Sequence, residues 1–246
     1  INHLYINVSG DNQGLFGTTA AEAVDGAFIR NTSIGAEGYV CGNGTVGAIV
    51  GHAKDTDLIN CSNAAEVEGS FDLGGIAGNN TSSLFLGCAN TGNIKGKSGN
   101  TGGICGRTGQ VSEEFANCYN AGAVETTWDY RSAAGIVAYT TGPVTNCYNV
   151  GRITSTTDSV YAIAGVPDGA YLHNCLYDKD VSKQDGATAD QAQGVTAAEL
   201  KSWGAAYQLS RVSATPNASG TFDYASVTDL ANMTTWRMAT GDEAAG

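Results

Sequence analysis

The chain has 246 residues, a formal net charge of −12, 15% charged residues and 34 glycines. Its 12 Lys and Arg residues are thinly spread, which argues against nucleic acid or an anionic membrane surface as a partner, because both need clustered basic residues. No apolar run approaches the roughly 18 residues that a membrane helix needs, so membrane insertion is not expected. Many glycines with only 3 prolines indicate short strands joined by tight turns.

Residues 1–33 are predicted to form a first coil. Residues 4–8 (Leu-Tyr-Ile-Asn-Val) alternate in the manner of a strand. Residues 14–17 (Gly-Leu-Phe-Gly) are the short form of a glycine block that returns later in the chain. Residues 28–31 stand where later repeats carry a hydrophobic residue followed by Asn-Cys.

From about residue 34 to residue 178 the sequence repeats. Five cysteines recur at steps of 27, 30, 29 and 28 residues, at positions Cys61, Cys88, Cys118, Cys147 and Cys175. A glycine block with a central isoleucine keeps the same step, at Ile49, Ile76, Ile104, Ile136 and Ile163. Such a period predicts a solenoid, because one repeat cannot bury its hydrophobic face without a stacked neighbour.

The repeated residues have separate structural duties. Asn and Gly tolerate the left-handed backbone conformation, so they are expected to turn the corners between strands, and repeated Asn can form an amide ladder from coil to coil. The cysteines are predicted to point inward about 4.8 Å apart, as small buried hydrophobes. Parallel side chains are poorly placed for a disulfide, and no CxxC pair indicates zinc.

The repeat is predicted to end at residue 178, followed by a polar loop to residue 194. Thr196 and Glu199 then predict a capping box, with Val195 as the hydrophobic staple. The predicted helix has an apolar face formed by Leu200, Trp203, Ala206 and Tyr207. The sequence therefore predicts a β-solenoid repeat domain over residues 1–178, and a C-terminal loop, helix and capping segment over residues 179–246.

The glycine blocks, together with the Asn-Cys-Tyr-Asn corners at residues 117–120 and 146–149, resemble the GLUG-type repeats of bacterial surface proteins. Such repeats occur in adhesin-like proteins and in non-catalytic regions of immunoglobulin A peptidases. The resemblance covers roughly residues 1–178, although Ala134 and Ala138 replace the outer glycines of one block. It implies an extracellular, cell-surface protein with no catalytic residues to carry over.

The fold expectation is an all-β protein, a right-handed β-helix or solenoid of about six coils with a short C-terminal helical cap. The chain begins at Ile1 without Met, and we expect it to be part of a larger chain. Its expected function is that of a non-catalytic stalk or ligand-binding surface of an adhesin-like protein, with a host glycan or an extracellular protein as partner.

Candidate catalytic residues are few. The three histidines have no metal spacing, no nucleophile or nucleotide-binding motif occurs, and neither a metal nor a cofactor is expected, although calcium binding by a loop stays open. Carboxylates occur in variable loops, at Asp72, Glu113, Glu114, Asp129 and Asp158. Because β-helical enzymes that cut polysaccharides use such side chains, a glycan-active lyase or hydrolase is the alternative to a non-catalytic module.

Aromatic side chains form the predicted binding site. Tyr119 and Tyr148 follow stacked cysteines, so both are expected to point outward, one above the other. Phe71, Trp128 and Tyr130 lie in the variable loops. Aromatic rings beside hydrogen-bond acceptors suit the recognition of sugars and proteins. The alternative is that these rings only cover the edge of the coil.

Overall fold

The computed structural model describes residues 1–19, 27–109, 113–127, 131–156, 159–166, 172–182 and 192–201, and residue 209. Over these residues the chain is a β-solenoid in which successive coils add short strands to five parallel sheets. No helix in this part of the chain is long and apolar enough to cross a membrane.

The first three coils carry fourteen strands. The first coil contains β1 (Tyr5–Asn7), β2 (Phe16–Thr18), β3 (Phe28–Arg30) and β4 (Ser33–Ile34). The second contains β5 (Tyr39–Cys41), β6 (Val46–Gly47), β7 (Val50–Lys54), β8 (Asp57–Ile59) and β9 (Ser62–Asn63). The third contains β10 (Glu66–Gly69), β11 (Leu73–Gly74), β12 (Ala77–Thr81), β13 (Phe85–Leu86) and β14 (Ala89–Asn90).

The last three coils continue the same order. The fourth contains β15 (Ile94–Gly96), β16 (Thr101–Gly102), β17 (Cys105–Thr108), β18 (Phe115–Ala116) and β19 (Tyr119–Asn120). The fifth contains β20 (Val124–Thr126), β21 (Ala133–Ala134), β22 (Val137–Tyr139), β23 (Val144–Thr145) and β24 (Tyr148–Asn149). The sixth contains β25 (Ile153–Ser155), β26 (Val160–Tyr161), β27 (Leu172–His173) and β28 (Leu176–Asp178), followed by α1 (Lys179–Ser182), β29 (Gln193–Val195) and α2 (Ala197–Leu200).

Each sheet collects one strand position from successive coils. The first sheet contains β1, β5, β10, β15, β20 and β25, and the second contains β6, β11, β16, β21 and β26. The third contains β2, β7, β12, β17 and β22. The fourth contains β3, β8, β13, β18, β23 and β27, and the fifth contains β4, β9, β14, β19, β24, β28 and β29. The all-β solenoid fold predicted from the repeat period is confirmed, while its right-handed sense stays a prediction.

The core consists of columns of side chains that occupy the same register in successive coils. The predicted isoleucine column is fully buried and contains Ile49, Ile76, Ile104, Ile136 and Ile163. Phe85 and Phe115 form a second contact of this kind in the fourth sheet, with ring centroids 4.8 Å apart. Each column is buried by the coils above and below it, as stacking in a solenoid requires.

The five repeat cysteines are buried and carry free thiols, as predicted. Their thiols donate to backbone carbonyls instead of bridging; the Cys88 thiol, for example, lies 3.4 Å from the carbonyl oxygen of Leu58. Burial raises the pKa of the Cys88 and Cys147 thiols, which keeps them protonated and unreactive. These residues act as small hydrophobic core side chains.

The corner that precedes each repeat cysteine, and Thr32 in the first coil, is left-handed. The residue at this position has a φ angle between 52° and 65° in every coil, and these residues are Asn31, Asn60, Gly87, Asn117, Asn146 and Asn174. Asn and Gly are the residues that adopt this conformation at least cost. The repeated Asn-Cys step is therefore a corner between the fourth and fifth sheets followed by an inward side chain.

A buried amide ladder runs along the fifth sheet. Asn63 donates to Asn90 at 2.9 Å, Asn90 to Asn120 at 2.8 Å, and Asn120 to Asn149 at 2.8 Å. The amide nitrogens of Asn63, Asn90 and Asn120 also donate to the carbonyl oxygen two residues further along the chain, so that both of their hydrogens are used. Asn149 donates in the same way to the carbonyl oxygen of Gly151. This is the ladder that the sequence predicts, and it satisfies polar groups that no water reaches.

The glycine block lies against this ladder. A Cβ atom on Gly103 would lie 2.4 Å from Cγ of Asn120 and 2.1 Å from the carbonyl oxygen of Gly135 in the next coil. Neither distance is compatible with a side chain. The glycine block and the ladder asparagine therefore recur together, because the glycine leaves the space that the asparagine side chain fills.

The C-terminal segment begins as predicted and then adds a strand. Thr196 caps α2 through a capping box, in which its hydroxyl accepts from the Glu199 amide and the Glu199 carboxylate accepts from the Thr196 amide. Within residues 178–194, where the sequence predicts a loop, the chain instead contains α1 and β29, and β29 pairs with β28. The domain boundary at residue 178 stays a prediction. Trp203, Ala206 and Tyr207 lie outside the described residues.

Candidate functional site

The predicted loop aromatics are described only in part. Phe71 lies between β10 and β11 and is 60% exposed, which makes it the most exposed aromatic side chain outside the first coil in the described part of the chain. Trp128 and Tyr130 lie outside the described residues. A binding role for all three residues stays a prediction.

The two tyrosines of the fifth sheet stack as the sequence predicts. The rings of Tyr119 and Tyr148 are 5.1 Å apart between centroids and 5° from parallel. Tyr148 also packs against a C-terminal cluster, which we define as Leu176, Val195 and Leu209. Burial raises the pKa of Tyr148, and the neighbouring Tyr119 adds to the effect. The chain itself thus covers part of the Tyr148 ring, and both tyrosines are half-buried.

Two of the described loop carboxylates, Asp72 and Glu113, serve the fold, and Glu114 is half-buried. Asp72 accepts hydrogen bonds from the side chains of Asn100 at 2.7 Å and Asn79 at 3.5 Å. Glu113 is fully buried, and it accepts from the backbone amides of Ser82 at 2.7 Å and Gly109 at 3.1 Å. Both side chains are therefore internal acceptors. Asp129 and Asp158, the other aspartates considered for catalysis, lie outside the described residues.

No metal site forms in the part of the chain that the structure describes. There, no three His, Cys, Asp or Glu side chains come close enough together to hold an ion. The three histidines stay apart: His3 pairs with Glu37 at 2.9 Å, His52 lies on the third sheet and His173 on the fourth.

A line of outward side chains on the third sheet was not anticipated from the sequence. We call it the outer row; its strands contribute one residue each, and these are Thr18, His52, Asn79, Arg107 and Tyr139. The strand neighbours of His52, Asn79, Arg107 and Tyr139 are buried, so alternation along the strand directs these four side chains away from the core. Thr18 shares their register through its pairing with His52. Thr18 and Arg107 are exposed, and the other three residues are half-buried.

Contacts hold the outer row in place. His52 Nε2 lies 2.9 Å from the hydroxyl of Thr81, and Arg107 Cζ lies 5.5 Å from the ring centroid of Tyr139, a cation–π distance. Burial, with a smaller effect of the Lys54 ammonium, lowers the pKa of His52, so its imidazole is neutral at neutral pH. The outer row therefore presents a neutral imidazole, an amide, a guanidinium and a phenol side by side.

The third sheet is locally basic in an acidic protein. Its five strands contain two cations, Lys54 and Arg107, and no carboxylate. Neither cation belongs to an ion pair in the described part of the chain. The first sheet differs, because there Lys95 pairs with Glu66 at 2.7 Å. A guanidinium that is exposed and has no carboxylate partner is available to an anionic ligand.

A sequence signal for the outer row does exist. Each of its residues directly follows the last residue of a glycine block, which is Gly17, Gly51, Gly78, Gly106 or Ala138. The residue type at this position differs from coil to coil, so the position gives no repeat signature when the sequence is searched for internal similarity. Only the register of the sheet shows that these different side chains form one row.

Two solved structures share this β-solenoid fold. A "putative immunoglobulin A1 protease" from Bacteroides ovatus has a TM-score of 0.65 at 22% identity, covering 81% of this chain and 68% of that chain. A protein named "IgA1 Protease" has a TM-score of 0.55 at 19% identity, covering 72% of this chain and 15% of that chain. At these identities the likeness shows the fold alone.

No family model matches the chain, and no curated protein matches it. The structure itself places the chain in the class of parallel β-solenoid proteins. The resemblance to GLUG-type repeats stays a prediction. The chain also spans only a small part of the second solved structure, so the activity of that whole protein does not transfer with the fold.

Proposed function

We propose that this chain is a non-catalytic β-solenoid module of an extracellular protein at a bacterial cell surface, and that it binds a host glycan or an extracellular protein. The observation that carries the proposal is the contrast between the inward positions of the coils and the outer row. Inner positions repeat the same residue types from coil to coil, whereas the outer row holds five different polar or aromatic side chains. A rigid scaffold with a varied outer surface is typical of recognition.

The alternative, a glycan-active enzyme that uses loop carboxylates, has less support. A glycosidase needs a pair of carboxyl groups free to reach its substrate. Asp72 and Glu113 are instead hydrogen-bonded within the fold. Two solved structures with this fold are named as immunoglobulin A1 proteases, and in this proposal the chain corresponds to a non-catalytic region of such a protein.

The proposal is tested by measuring binding and turnover on the same ligands. The purified chain is screened against host glycans, extracellular-matrix proteins and immunoglobulin A1, and every ligand it binds is then incubated with it and analysed for cleavage. Binding without cleavage is the expected result. Cleavage of a bound glycan or protein contradicts the non-catalytic assignment, and binding to none of the ligands leaves the stalk function as the better one.

The loop aromatics are tested in the same screen. Trp128→Ala is expected to cost about 2 kcal/mol, or roughly thirtyfold in affinity, if Trp128 anchors the ligand. Phe71→Ala reports on the exposed ring between β10 and β11. If both variants bind like the wild type, the loop aromatics are not the site, and the screen moves to the outer row.

A further inference from the structure

We propose that the outer row binds an extended acidic glycan that runs along the solenoid axis, with the Arg107 guanidinium receiving a carboxylate of one sugar. The inference rests on the proposed function and specifies the ligand class and the surface. It places recognition on the outward side chains of the third sheet, and it assigns a role to His52, Asn79, Arg107 and Tyr139.

The spacing of the outer row suits a chain of sugars. Its residues come from neighbouring strands of one parallel sheet, so they follow one another at about 4.8 Å. One sugar ring of an extended polysaccharide has a comparable length, so a ligand along the axis meets one side chain per ring. Four consecutive strands contribute the residues from His52 to Tyr139 to this line.

The charge of the third sheet selects an anion. Lys54 and Arg107 are its only charged side chains within the strands, and both are exposed. Two carboxylates close to this sheet are held by the fold, since Asp72 accepts from Asn79 and Asn100, and Glu113 is buried. The overall charge of −12 opposes a polyanion only weakly at this surface, because salt screens charges that lie more than about 8 Å away at physiological ionic strength.

The other side chains suit hydroxyl groups and ring faces. The neutral His52 imidazole and the Asn79 amide have hydrogen-bonding capacity for sugar hydroxyls. Tyr139 offers an aromatic face with a polar end, and its ring also positions Arg107 at 5.5 Å. Tyr139 and Arg107 thus combine an apolar ring face with a guanidinium that can donate two parallel hydrogen bonds to a carboxylate.

An acidic peptide fits the same surface less well. An extended peptide advances by about 3.3 Å per residue, so its side chains fall out of step with the residues of the outer row, which follow one another at about 4.8 Å. A peptide that crosses the face of a sheet also finds no strand edge with which to pair its backbone. These two mismatches favour the glycan.

The experiment measures binding by calorimetry with uronate- and sialate-containing oligosaccharides long enough to span the third sheet. The matched neutral ligands are the same oligosaccharides after reduction of their carboxylates to alcohols, and poly-glutamate is the acidic peptide. The variants are Arg107→Gln, Arg107→Lys and, as a control on an exposed cation outside the third sheet, Arg152→Gln. Circular dichroism confirms that each variant is folded.

We expect the acidic oligosaccharide to bind more tightly than its neutral form, and Arg107→Gln to weaken it by about tenfold or more. Arg107→Lys is expected to recover part of the affinity, and Arg152→Gln to change it by less than about twofold. Equal binding of the neutral form, equal effects of Arg107→Gln and Arg152→Gln, or equal binding of poly-glutamate overturns the inference. If no oligosaccharide binds but a protein partner does, the inference fails and the proposed function stands; if nothing binds, both fail.

Discussion

At the scale of single residues, the amide ladder links coils that the core columns also link. Asn120 makes four buried hydrogen bonds: it donates to Gly122 and Asn149, and it accepts from Gly122 and Asn90. We expect Asn120→Ala to lower the free energy of unfolding by about 3 kcal/mol, because several buried partners lose a bond at once. Urea denaturation followed by circular dichroism measures the change.

Asn93→Ala is the matched control for this prediction. Asn93 is exposed and accepts one hydrogen bond, from the backbone amide of Ala123 at 3.2 Å. Its replacement is expected to change the stability by no more than about 0.5 kcal/mol. If both variants lose the same stability, the ladder contributes nothing beyond an ordinary surface amide.

Residues repeated in every coil were predictable from the sequence, and the outer row was not. The Asn-Cys corner and the central isoleucine recur with the period of the coil, so their conformation and burial follow from the repeat. His52 and Arg107 share a row but not a residue type. In the sequence, His52 is therefore one of three histidines without metal spacing, and only the sheet register places Arg107 beside Tyr139.

At the scale of elements, the C-terminal segment covers the side of the fifth sheet. β29 extends that sheet after β28, and Val195 and Leu209 join Leu176 in a cluster against Tyr148. The sequence predicted the capping box at Thr196 but not β29, because Gln193 and Gly194 lack the repeat pattern. Their pairing is by backbone hydrogen bonds, which any residue except proline can make.

The covered position of Tyr148 predicts a dependence of stability on pH. Burial raises its pKa in the folded state, so above about pH 10, where an unfolded tyrosine loses its proton, the folded state is penalised. The stabilisation is complete below that pH and is lost as the pH rises. We expect Tyr148→Phe to lose less stability than the wild type between about pH 9 and pH 11.

The measurement is the urea midpoint of both proteins at the two pH values. Tyr39, whose pKa is also raised, by its hydrogen bond to Cys41 and by burial, is present in both proteins and cancels in the comparison. If the two midpoints fall in parallel, Tyr148 titrates alike in the folded and unfolded states. The C-terminal cluster then does not cover its hydroxyl group.

At the scale of the whole molecule, the two ends of the solenoid differ. In the first coil Phe16 is 44% exposed, although its partner in the second coil, Val50, is fully buried. In the last coil Leu176 is fully buried, because Val195 and Leu209 lie against it. The C-terminal segment thus pairs with the edge of the last coil at the fifth sheet and covers Leu176 on the outer side of that sheet, whereas the inward Phe16 of the first coil is partly exposed.

Deleting residues 192–246 tests whether the C-terminal segment is a cap. The deletion removes β29, Val195 and Leu209, and so leaves β28 as an unpaired edge beside an uncovered Leu176. Unpaired strands next to exposed apolar side chains promote association, and solenoids need a polar terminal repeat to stay soluble. We expect the truncated protein to form dimers or larger species by light scattering and to melt at a lower temperature than the full chain.

The double change Thr196→Ala, Glu199→Ala in the full chain removes the capping box alone, at a cost of about 1 kcal/mol, and should leave it monomeric. A truncated protein that stays monomeric with an unchanged melting temperature would show that stacking of the six coils alone stabilises this end.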